Sequence, residues 1–113
     1  MTTTVLTTFI EEGIVQADWT GLANAETGLA TQLAKWPTKA AHATGTFGVG
    51  GAVAIEGSNN GTDFFALRDS MGVAISLTAA APIKDVLENP RHIRARVTAG
   101  DGTTNIRVLI VAT

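Results

Sequence analysis

The stretch AVAIEGSNNGTDFFAL, residues 52–67, decides the fold. Its first five residues alternate, with Val53 and Ile55 on one side of an extended chain and Ala52, Ala54 and Glu56 on the other. A period of two is what a strand shows when one of its faces enters a core. Gly57-Ser58-Asn59-Asn60-Gly61-Thr62 then reverses the chain. Asn-Gly between two strand-like runs is a hairpin cue, because both residues tolerate positive φ. Residues 63–67 return as the partner strand, with Phe65 and Leu67 on one face and Phe64 on the other.

The same grammar repeats on both sides. In residues 92–98, Ile93, Ala95 and Val97 share a face opposite His92, Arg94 and Arg96. Asp101-Gly102 turns the chain, and residues 104–111 return with Ile106, Val108 and Ile110 toward the core. The opposite face of this last strand holds Arg107, Leu109 and Val111. Two of these three are apolar, so the strand end is expected to be covered on both sides, by an N-terminal arm or a neighbouring subunit. Residues 68–72 turn, and residues 73–78 alternate, with Val73, Ile75 and Leu77 on one face. A connection follows in which Ile83, Val86 and Leu87 suit one short helical turn.

Upstream, residues 13–20 read as a strand with Trp19 near its end, and residues 39–47 as another that runs into a Gly-rich turn at 48–51. Residues 22–36 stay open between helix and strand. Leu22, Leu29, Leu33 and Trp36 have loosely helical spacing and Pro37 would stop a helix, whereas Gly28 and the threonines weaken one. Residues 1–12 alternate threonine with apolar residues and form an arm or an edge strand; residues 13–113 form one domain. The expected fold is all-β, an antiparallel β-sandwich or jelly-roll-like architecture of six to eight short strands with room for one short helix.

Composition narrows the function. The 113 residues contain no cysteine, which removes disulfides, thiolate metal sites and cysteine nucleophiles. Eight basic against ten acidic residues give a net charge of −2, with no Lys/Arg run. Binding nucleic acid through phosphate neutralisation wants the reverse. No apolar run approaches the ~20 residues of a membrane helix, and the first thirty residues do not read as a signal peptide. Charged residues make up only 16% of the chain, below the usual ~25%. A surface so poor in charge suits a protein covered by neighbours.

Catalytic groupings are hard to find. His42 and His92 have no His, Cys or carboxylate at ligand spacing, so they read as surface or interface residues. Ser58, Ser70 and Ser76 lie outside any Gly-x-Ser-x-Gly elbow. Residues 59–63 set oxygens at alternate positions, faintly like a calcium loop, but lack its terminal glutamate; Asn, Gly and Asp are also what a hairpin turn requires. The glycines of residues 45–51 are followed by no Gly-Lys-Ser/Thr. Arg91, Arg94 and Arg96 form a small basic cluster that fits a protein interface or an internal salt bridge better than nucleic acid. Trp19, Trp36, Phe47, Phe64 and Phe65 are expected mostly in the core, although two tryptophans could also form a sugar platform.

Four segments in order carry a resemblance: Ile55-Glu56-Gly57-Ser58-Asn59-Asn60-Gly61-Thr62, the aromatic strand ending at Leu67, Asn89-Pro90-Arg91-His92-Ile93-Arg94, and Gly100-Asp101-Gly102-Thr103-Thr104. The chain resembles small virion proteins of tailed bacteriophages over residues 39–113. It departs from them at Asn60, where Asp is usual, and at His92, where an aromatic is usual. The resemblance implies a capsid decoration, or cement, protein on the exterior of the virion, made in the host cytoplasm. Such proteins clamp neighbouring capsomers, often as trimers, and the implied partners are the major capsid protein and sister copies. The resemblance names no catalytic residues; composition and the missing catalytic groupings set the expectation of no enzyme activity, no cofactor and no nucleic-acid or membrane partner. Strand faces nominate Val5, Phe9, Ile10, Arg94, Arg96, Arg107, Leu109 and Val111 as interface residues. The alternatives are a tail or neck subunit, and a carbohydrate-binding sandwich using Trp19 and Trp36.

Overall fold

The computed structural model describes the backbone of residues 2–3 and 5–113, and the side chains of residues 7–8 and 12–113. Within them the chain is all-β. Six strands of seven to nine residues build the frame: β2 (Val5–Glu11), β3 (Ile14–Leu22), β5 (Lys39–Thr46), β6 (Ala52–Ser58), β10 (His92–Ala99) and β11 (Asn105–Ala112). Five two-residue strands fill in: β1 (Thr2–Thr3), β4 (Thr27–Gly28), β7 (Phe65–Ala66), β8 (Ser76–Leu77) and β9 (Lys84–Asp85). One sheet runs β1-β4-β10-β6, and both β7 and β8 pair along the outer edge of β6; the other runs β2-β3-β11-β5-β9. All pairings are antiparallel except β1 with β4.

The period of two explains the packing. From the first sheet Val53 and Ile55 of β6 and Ile93, Ala95 and Val97 of β10 face inward; from the second come Val15, Ala17 and Trp19 of β3 and Ile106, Val108, Ile110 and Ala112 of β11. All are fully buried or nearly so, which makes a two-layer sandwich over one core. Between Trp19 and Leu22, β3 carries one more residue than β11 has opposite it. This bulge at Thr20–Gly21 resets the alternation, so Leu22 also turns inward and β3 extends past the end expected for it.

Trp19 is the largest core residue. Its indole N–H donates to the Leu29 carbonyl at 2.8 Å. The ring lies against Gly28: a side chain there would put its Cβ 2.5 Å from the ring and 2.9 Å from the Ala95 carbonyl oxygen. That contact decides the open segment. Residues 22–36 form no helix, because Gly28 must pair as β4 between β1 and β10 to seat the indole. The rest is loop, with Ala25 at φ 63° and Thr31 bridged to Ile93. Leu33 closes the core from this loop and Trp36 packs at its margin.

Other expectations need correction in residues 63–90. The helical turn at Ile83, Val86 and Leu87 is replaced by β9, which pairs with β5; Val86 is buried while Ile83 and Leu87 are exposed. The strand expected over residues 73–78 shrinks to β8, and Val73 is 60% exposed. Both changes have one cause. Asp69 caps its own loop by accepting the Met71 and Val73 amides, and that loop ties onto residues 84–88, so the first segment keeps only a two-residue strand on β6 and the second lies extended on β5 of the other sheet.

Candidate functional site

Residues 63–90 leave the frame, span both sheets and return. Their ties are polar and specific. Glu88 accepts the backbone amide of Arg68 at 2.8 Å and its guanidinium at 2.7 Å, the Leu87 amide reaches the Arg68 carbonyl at 2.8 Å, and Lys84 pairs with Asp69 at 3.9 Å. Burial raises the Glu88 pKa, but the Arg68 amide and guanidinium outweigh it and hold the carboxyl below the usual range. Asp85 is likewise held low, chiefly by its bonds from Ser70.

With its charged groups engaged internally, the excursion presents apolar ones outward. Seven large apolar side chains are exposed among the described residues, and five of them lie here: Phe65, Met71, Val73, Ile83 and Leu87. Phe65 corrects the expected shared face with Leu67. It pairs opposite Gly57, where Pro90 and Leu67 already occupy the inward side, so Leu67 is buried while the Phe65 ring is 71% exposed. Phe65 lines an open groove of about 570 Å³ formed by residues 57–60, 63, 65–67 and 88–90. Grooves of that size suit a peptide segment or small ligand.

The hairpin at residues 58–63 forms one wall and is a self-satisfied turn. Ser58 Oγ accepts the Asn60 and Gly61 amides, Asn60 Oδ1 accepts those of Thr62 and Asp63, and Asn60 Nδ2 donates to Asp63. Its oxygens are thus committed to the backbone rather than converging on an ion. Among the described residues, no three His, Asp or Glu side chains group as metal ligands would.

The interface residues nominated from strand faces fall on opposite sides of the sandwich. On the outer face of the first sheet, Arg94 and Arg96 converge on Glu56 at 2.8 and 3.3 Å, and Phe64 stacks on Arg94 at 3.8 Å. Both arginines are therefore partners in an internal salt bridge. On the outer face of the second sheet, Arg107 holds Asp18 in a two-pronged pair at 3.0 and 2.7 Å, which raises the guanidinium pKa. Leu109 and Val111 continue along this face, half-buried beside His42 and Gln16. Residues 5–11 do not lie over that face, since β2 extends the sheet at its edge. The side chains of Val5, Phe9 and Ile10 lie outside the described residues. Trp19 is fully buried, which removes it as a sugar platform.

The exposure of these apolar side chains between residues 65 and 87 was missed in the sequence. The sequence signal was partial: Met71 lies in a turn, but Val73 fits a strand face and Ile83 and Leu87 a helical turn, and it is the Asp69 loop that leaves them outside. No protein-family model, curated protein or solved structure matches this chain.

Proposed function

We propose that this chain is a non-enzymatic structural subunit of a tailed-phage particle, a decoration protein that binds the outside of the capsid and bridges neighbouring capsomers. The observation that carries the reading is the tied excursion of residues 63–90, which exposes five large apolar side chains on a scaffold otherwise poor in charge. Exposed apolar residues gathered on an excursion mark a binding surface more than scattered ones do. Here the polar ties hold the excursion in shape before binding, so less ordering entropy opposes association. The occupant is the capsid shell, and the half-buried strip of Leu109 and Val111 is the face offered to a sister copy. Many copies on a symmetric shell turn weak single contacts into strong attachment, which would oppose pressure from packaged DNA.

The test is co-sedimentation of the purified chain with capsids of the phage that encodes it, stripped of this protein. Val73→Asp with Ile83→Asp should fold and fail to co-sediment, since both side chains are already in water. Wild-type attachment by that double variant would overturn the assignment of the surface. Failure of the wild-type chain to attach to capsids while it is found on tails would replace the capsid with a tail or neck site. Light scattering should give a trimer of 11.7 kDa chains, about 35 kDa; a stable monomer would remove the sister-copy face.

A further inference from the structure

Lys39 is out of place. It opens β5 with its side chain on the inward face shared with Ala41, and the whole residue is only 2% exposed. Lysines are almost never so buried without a partner of opposite charge. None of the ion pairs among the described residues includes it. Its amine instead donates to the carboxamide oxygen of Asn89, and the Asn89 Nδ2 donates to the Ala34 carbonyl at 3.0 Å. We propose that Lys39 and Asn89 join as an intramolecular amide that staples the two sheets together.

Both ends are held for it. The Lys39 backbone pairs with Ala112, and its carbonyl accepts the Val86 amide at 3.1 Å. Asn89 is flanked by Glu88, tied to Arg68, and by buried Pro90, packed over Gly57. Such fixed approach replaces a costly encounter between two chain segments. Desolvation by burial lowers the Lys39 pKa and so enlarges the share of neutral, nucleophilic amine. In the reaction the Lys39 Nζ lone pair attacks Asn89 Cγ. The new Cγ–Nζ bond forms, the Cγ–Nδ2 bond breaks, and one Nζ proton ends on the departing nitrogen, which leaves as ammonia. No oxidant or reductant is consumed. Asn89 is exposed on the groove wall, so water can relay the proton and ammonia can leave. The product would link β5 of one sheet to the segment entering β10 of the other, across 50 residues of chain, in a protein without cysteine.

Intact-mass spectrometry of the denatured wild-type chain, after prolonged incubation at alkaline pH, tests this. The expected result is a mass lower than calculated by one ammonia, with a tryptic product that joins the Lys39 and Asn89 peptides. Lys39→Arg keeps the cation and its hydrogen bond but cannot acylate in this way, so it should show the full mass; Asn89→Ala should do the same. Ammonia is also lost by succinimide formation at Asn60-Gly61, but that loss would persist in Lys39→Arg and yield no joined peptide. A wild-type chain of full calculated mass, or a wild-type digest without the joined Lys39–Asn89 peptide, overturns the proposal. Neither result depends on whether the chain binds capsids.

Discussion

Gly28→Ala tests the packing on which the sandwich turns. The added methyl would lie 2.5 Å from Cδ1 and 2.7 Å from Nε1 of Trp19, and 2.9 Å from the Ala95 carbonyl oxygen. Carbon contacts are comfortable at ~3.5–4.0 Å, so a gap of about 1 Å must open between a fully buried ring and a strand backbone. Neither neighbour is a flexible side-chain tip. Overpacking of this kind costs about 1–3 kcal/mol. If the ring swings away it also weakens its 2.8 Å bond to the Leu29 carbonyl, worth about 1 kcal/mol. The stiffer unfolded chain returns about 0.4–1 kcal/mol. A net loss near 1–3 kcal/mol corresponds to a drop in Tm of about 4–13 °C for a domain of this length. Far-UV circular dichroism melts would measure it. Gly102→Ala is the control: a Cβ there meets nothing within 4 Å, so only the unfolded-chain term acts and the melt should rise by about 2–4 °C. If Gly28→Ala melted with Gly102→Ala, the close approach of Trp19 to β4 would be wrong.

Further tests address the charges and the surface. Glu56→Gln removes the carboxylate shared by Arg94 and Arg96; because both arginines can return partly to water, the expected loss is about 1–2 kcal/mol by urea denaturation. Asp101 is held below the usual carboxylate range, first by the Thr103 hydroxyl and then by the Val49 and Thr103 amides. A depressed carboxyl stabilises the fold above its unfolded pKa and loses that contribution as pH falls through its folded value. Tm should therefore hold from pH 8 to about 5 and decline below about 4, with a shallower decline in Asp101→Asn. Phe65→Ala should change the melt by less than about 0.5 kcal/mol, since the ring is 71% exposed, while it weakens capsid attachment.

How much of this was legible in the sequence follows from the range of the forces involved. Residues 52–56, 92–98 and 104–111 could be read because alternation is local and a buried face enforces it. Trp19 announced a core by its size, but its need for Gly28 could not be seen, because the clash depends on how two sheets face each other across the core. The Asp69 loop inverted the reading of residues 73–87 for a related reason. Its carboxylate competes for the amides that a strand would have used, and that competition is decided by where residues 84–88 lie in space. Arg94 and Arg96 were visible as a pair on one face, but the neighbour that makes them internal, Glu56, lies about 40 residues away in the chain.

The Asp18–Arg107 pair has a consequence for how the chain reaches this fold. These residues are 89 apart, and they fasten β3 to β11, the strand in the middle of the second sheet. Closing so long a loop comes before any of the contacts that reward it, which places folding in the slow class of millisecond to second rates typical of sandwiches. Until β11 inserts, β3 and β5 each show an unpaired edge, the state most open to mispairing between chains. The yield of soluble protein should thus depend on the concentration of unfolded chains during refolding, and dilution should help more than any change that only stabilises the finished structure.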